Sequence, residues 1–183
     1  MADPALIAWT LAALLQHAPP ERHERAPWAD PSPAYALARY TGIAVAIADV
    51  CDGAQSERDC AALLSAIAIG ESALSRDADE GPCYRVGGYR TRCDSGAAAS
   101  VWQAHAFGVD EHGERITIAR LFADRRLAAW QALRVARASL AMCRSLPAVD
   151  RLSGLSGRCI EGPGPWRARM RLYQTLRAWE PKP

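Results

Sequence analysis

The sequence predicts a mainly α protein with one short β-hairpin, braced by disulfides. Three observations point there. The first is composition: 183 residues, 50% hydrophobic and 23% charged, are enough for one real core. The bias toward alanine and arginine, with only two phenylalanines, favours helix because alanine loses least on helix formation. The second is periodicity, since several segments place apolar residues three and four apart, on one helical face. The third is cysteine placement. Six cysteines fall as local pairs, Cys51/Cys60, Cys83/Cys93 and Cys143/Cys159, each bracketing a short loop. That pattern fits disulfides in an oxidising compartment, with free buried thiols in a cytosolic protein as the alternative. Spacing gives no support for zinc, and a net charge of +2 is too weak a field to argue for nucleic acid.

Asp3 as N-cap and Pro4 at the first helical position start a helix that Pro19 and Pro20 end. Its apolar run is shorter than the about 20 residues a membrane span needs. Asp3 also stands where a signal peptide carries Lys or Arg, so a packing helix is expected, with a removed export signal as the alternative. The stretch 19-PPERHERAPWADPSP-33 is a polar, proline-rich connector with His17 and His23 as surface residues at its edge. Residues 1–33 therefore form an N-terminal helix and connector, and 34–183 the main domain. Segment 34–51 is apolar and rich in small residues, a closely packed helix unless its Val and Ile content makes it a strand. After 52-DGAQS-56, Ser56 caps a helix over 57–71, with Asp59 as an imperfect capping box.

That helix carries the chemistry. Leu64, Ile67, Ala68 and Glu71 share one face, which places a carboxylate at a buried helix end. Burial raises a carboxyl pKa, and a glutamate protonated near neutral pH suits general-acid work on a glycosidic oxygen. The alternative is a Glu71 merely exposed where the chain turns, although the negative helix end disfavours a carboxylate there.

Next, 81-GPCYRVGGYRTRCDSG-96 sets Tyr84, Val86, Tyr89 and Thr91 around Gly87-Gly88, a two-residue hairpin whose mouth a Cys83–Cys93 bond would staple. The string 95-SGAAASVWQ-103 allows a close approach of backbone or sugar, or is a plain turn into a helix. Asp124 caps a helix over 125–143, with Leu133, Ala136, Leu140 and Cys143 inward and arginines on the wet face. A last helix covers 165–179. His105 and His112 are too few for a metal site.

From about residue 58 to 160 the chain resembles the lysozyme-like superfamily, nearest to soluble lytic transglycosylases and goose-type lysozymes. Glu71-Ser72 matches the family's helix-ending Glu-Ser. Ala98, Trp102 and Gln103 fall at the places of its Ser-x-x-Gly-Ala-x-Gly-Leu-Met-Gln motif, with Ser95 near the serine. Ala97 and Ser100 replace the two motif glycines, Val101 replaces the leucine, and 152-LSGLSGRC-159 lacks the tyrosine of the late turn.

The resemblance implies a lysozyme-like domain with a small β-lobe that cleaves the β-1,4 bond between N-acetylmuramic acid and N-acetylglucosamine in peptidoglycan strands. Glu71 is then the catalytic acid, with Ser72, Gln103, Trp102, Tyr84 and Ser95 binding substrate; Trp102 and Tyr84 would stack on sugars or else belong to the core. A lysozyme needs a second carboxylate, for which Asp77, Asp79 and Asp94 qualify. A transglycosylase closes the muramyl 6-hydroxyl on the anomeric carbon instead. Neither needs a metal or cofactor, and the expected location is periplasmic, secreted or virion-associated. The competing expectation is a non-catalytic, glycan-binding or structural component of a phage tail or secretion particle. A third is a disulfide-braced interaction protein with no groove beside Glu71.

Overall fold

The computed structural model describes residues 2–20, 32–80 and 96–181. The expected hairpin, with Tyr84, Asp94, Ser95 and the Cys83/Cys93 pair, lies outside the described residues, as does most of the proline-rich connector.

Helix α1 spans Pro4–His17, and the Asp3 carboxylate accepts the Ala5 N–H at 2.9 Å. Helix α2 spans Pro33–Cys51, which settles the helix-or-strand question at 34–51, and Ser32 Oγ accepts the Tyr35 N–H at 3.1 Å. Helix α3 covers Glu57–Ser72, with Ser56 Oγ accepting the Asp59 N–H at 3.3 Å. A short α4, Arg76–Glu80, follows. Strands β1 (Ala98–Ala99) and β2 (Ala104–His105) pair antiparallel, Ala98 opposite His105 and Ala99 opposite Ala104. The small-residue string thus turns back on itself instead of entering a helix. Helix α5 is Ile118–Ala123, and α6 is Arg125–Met142, capped by Asp124. A 3₁₀ segment, Ala148–Ser156, leads to α7, Pro165–Arg177.

Helix α3 is the axis of the bundle, packed by α1, α2, α6 and α7. Its residues 61 to 68 are all buried, because four neighbours leave it almost no wet face. Leu14 of α1, Ile43 and Ile47 of α2, Leu64 of α3 and Leu176 of α7 are fully buried in one core. Each such side chain contributes about 1.5–3 kcal/mol. Helix α1 therefore shares the core of the main domain. Helix α2 is long and apolar enough to cross a bilayer, but half of that stretch is buried within this core. It also carries the buried Arg39.

Arg39 is paired. Its Nη1 lies 3.2 Å from Asp79 Oδ2 on α4, and its Nη2 donates to the Leu74 carbonyl at 2.7 Å. Arg125 of α6 grips the same carboxylate, Nε to Oδ1 at 3.0 Å and Nη2 to Oδ2 at 2.9 Å. Asp79 has no side-chain exposure, so this clamp joins α2, α4 and α6 and fixes the chain just after α3.

Two disulfides, Cys51–Cys60 and Cys143–Cys159, form as the local pairing predicts. The first ties the end of α2 to α3, and the second ties the end of α6 to the loop before α7. Closing short loops of this kind stabilises by roughly 3 kcal/mol each through the unfolded chain. Reduction is accordingly expected to lower the melting temperature. Alkylation of the native, unreduced protein should leave these cysteines unlabelled by intact mass; six labelled thiols would contradict the pairing.

Candidate active site

A cavity of about 580 Å³ opens beside the C-terminal end of α3. Ile67 and Glu71 of α3 form one wall, and Ala98, Trp102, Gln103 and His105 of the β-turn another. Gln131 and Val135 of α6, with Gly154 and Gly157 at the 3₁₀ segment, complete it. Glu71 is the one carboxylate among the described lining residues.

Its side chain is 21% exposed and lies 2.9 Å from Arg169 Nη2 of α7. Burial pushes the Glu71 carboxyl above its ordinary pKa, while the charges of Arg169 and His105 pull it down; burial prevails. The carboxyl therefore gives up its proton less readily than a fully solvated glutamate.

The backbone around Glu71 is strained. Among the described residues, four that are not glycine have positive φ: Ala73 (53°), Leu74 (57°), Ser100 (66°) and Gln103 (48°). The first two follow α3 directly, and the others are the corners of the β1–β2 turn. Left-handed backbone costs a side-chain-bearing residue about 1–2 kcal/mol, and such positions concentrate at functional sites. Ser72 joins the two strained segments: its Oγ donates to the Val101 carbonyl at 2.8 Å and accepts the Leu74 N–H at 3.1 Å. Ser72, expected to bind substrate, is 4% exposed and absent from the cavity wall, and its hydrogen bonds hold the backbone on both sides of Glu71. Ser72→Ala should cost about 1–3 kcal/mol in denaturant unfolding by leaving buried backbone groups unpaired. An unchanged midpoint would contradict that role.

Gln103 lines the cavity as expected, its Nε2 turned to the Ser100 carbonyl at 3.0 Å. Trp102 borders it too, but only 2% is exposed and its indole N–H donates to the Leu64 carbonyl at 3.1 Å. Of the two expectations for Trp102, this placement accords with the core, where the ring wedges the turn against α3. Asp79, a candidate second carboxylate, has both oxygens held by arginines and faces a different cavity, beside Gly42 and Arg125. Asp77 lies on α4 and is likewise absent from the lining of the Glu71 cavity. Asp94, Ser95 and Tyr84 lie outside the described residues.

Sequence reasoning missed Arg169, Phe107 and Gln131. Gln131 is buried on α6 and donates to the His105 carbonyl at 3.1 Å, holding β2 in place. Phe107 is 50% exposed at the cavity, with the Arg134 guanidinium 5.2 Å from its ring centroid. One signal did stand in the sequence: Gly70, in the last turn of α3 beside a carboxylate, marks a close approach. Among the described residues no group of three His, Cys, Asp or Glu side chains gathers to hold a metal.

The chain matches no protein-family model, no curated protein and no solved structure. The site's chemistry thus rests on its own geometry.

Proposed function

We propose that the protein is a peptidoglycan-cleaving muramidase of lysozyme-like architecture in which Glu71 is the general acid. The observation that carries the reading is a carboxyl, its pKa raised by burial, set in a cavity framed by strained backbone on both sides. The resemblance of Glu71-Ser72 and of the segment ending in Gln103 to lytic transglycosylases supports the substrate. Glu71 protonates the glycosidic oxygen as the bond to the anomeric carbon breaks. The carboxylate left behind then serves as base for the muramyl 6-hydroxyl, which closes on the anomeric carbon in the anhydro-forming route. The two disulfides support an extracytoplasmic setting.

A non-catalytic lysozyme-like component of a phage tail or secretion particle is favoured by one observation. The Arg169 guanidinium stabilises the charged form of Glu71 and so works against proton donation. Release of soluble muropeptides from purified peptidoglycan tests the two readings: the muramidase releases them, and the folded, oxidised structural component does not.

A further inference from the structure

We propose that Arg169 is the positioning residue of Glu71, reaching across Gly70 to hold one carboxyl oxygen and so fixing how Glu71 faces the cavity. The inference rests on the reading of Glu71 as the general acid and deepens it.

Arg169 comes from α7, the last helix, far along the chain from Glu71. Its stem lies against the backbone of α3. A Cβ built on Gly70 would stand 2.5 Å from Arg169 Cγ and 3.2 Å from both its Cδ and Nε. Any side chain at 70 would therefore displace the arginine, and displacement at Cγ cannot be absorbed by a swing of the guanidinium alone. Glycine inside a helix costs about 0.5–1 kcal/mol relative to alanine, and here it gives Arg169 its path. Beyond Gly70 the guanidinium ends 2.9 Å from Glu71 Oε2, with 12% of the side chain exposed. Glu71 is its one ion-pair partner among the described residues.

The other charged group acting on Glu71 is His105 of β2. No further titratable side chain belongs to the described lining of the cavity. Arg169 thus does two things to the same carboxyl. It restricts the rotamers from which the acid can meet a glycosidic oxygen, a restriction whose loss can cost on the order of 100-fold in rate. It also opposes protonation, offsetting part of the upward push that burial gives the carboxyl.

The test is an NMR titration of the Glu71 carboxyl carbon in the full, oxidised chain, with peptidoglycan cleavage followed across pH on the same samples. The proteins are the parent, Arg169→Met, Arg169→Lys and Gly70→Ala. Arg169→Met keeps an apolar stem and loses the charge, so Glu71 should titrate at higher pH and the alkaline limb of kcat/KM should move up with it. At acid pH, where both proteins carry the proton, Arg169→Met should still be slower by on the order of tenfold or more. Arg169→Lys should titrate near the parent, and Gly70→Ala should follow Arg169→Met, its methyl pushing the arginine aside. A natively folded Arg169→Met protein whose Glu71 titrates with the parent overturns the proposal; if that variant does not fold, an unshifted Gly70→Ala overturns it. Absence of cleavage by the parent would overturn Glu71 as the acid, while the titration would still decide whether Arg169 holds it.

Discussion

Glu71→Gln is expected to lower the rate of peptidoglycan cleavage by at least about 100-fold, the range over which a positioned general acid contributes. The amide keeps the shape of the carboxyl, and its oxygen can still accept from Arg169, so circular dichroism and the melting transition should stay near those of the parent. What it loses is the proton. In the parent the same proton sets the pH profile. Glu71 must start protonated, so kcat/KM should fall as pH rises through its upward-shifted pKa, and Glu71→Gln should lose this dependence with the activity. The direction follows from burial outweighing the charges of Arg169 and His105. A variant that clears peptidoglycan as fast as the parent would show that another group supplies the proton.

Asp79→Ala is expected to produce a large loss of stability, about 3–5 kcal/mol, because it removes the buried carboxylate on which Arg39 and Arg125 converge. The Arg39 side chain is 1% exposed, and the Asp79 carboxylate is the anion its Nη1 meets at 3.2 Å. Arg125, with 35% of its side chain exposed, can turn to water once its partner is gone; Arg39 cannot. Since Arg39 also holds the Leu74 carbonyl, the strained turn after Glu71 should loosen together with the fold. Urea unfolding measures the effect directly. Replacing Arg39 and Asp79 together by apolar residues of similar size should recover much of the loss, as removing both charges of a buried pair commonly does. A midpoint unchanged in Asp79→Ala would mean that the clamp contributes nothing.

What could be read from the sequence was what depends on near neighbours along the chain. The caps at Asp3, Ser56 and Asp124 are local signals, and each appears where residue type and spacing put it. The apolar face of α3, from Leu64 to Ile67 and Ala68, comes from a period within one helix, and Glu71 at its end lines the cavity. Two disulfides were legible because their loops are short.

Roles decided by distant partners were not legible. Ser72 looked like a cleft residue because it follows Glu71, yet its hydroxyl is taken by Val101, which belongs to the β-turn. Asp79 looked like a free loop carboxylate because nothing local shows that Arg39 and Arg125 converge on it. Trp102 looked equally suited to stacking and to the core, and the Leu64 carbonyl decides for the core. Helix propensity hid the β1–β2 turn, since alanine, serine and glutamine give no sign that Ser100 and Gln103 adopt left-handed backbone. Arg169 reaches the site from α7, and only Gly70 announced that something would need to pass.

The measurement closest to the central claim is mass spectrometry of the soluble products after purified peptidoglycan is digested by the oxidised parent and, in parallel, by Glu71→Gln. The parent is expected to release disaccharide-peptide fragments lighter by one water than hydrolytic muropeptides, and the variant none above background. Fragments of equal yield from both proteins, or none from a folded and oxidised parent, would contradict it.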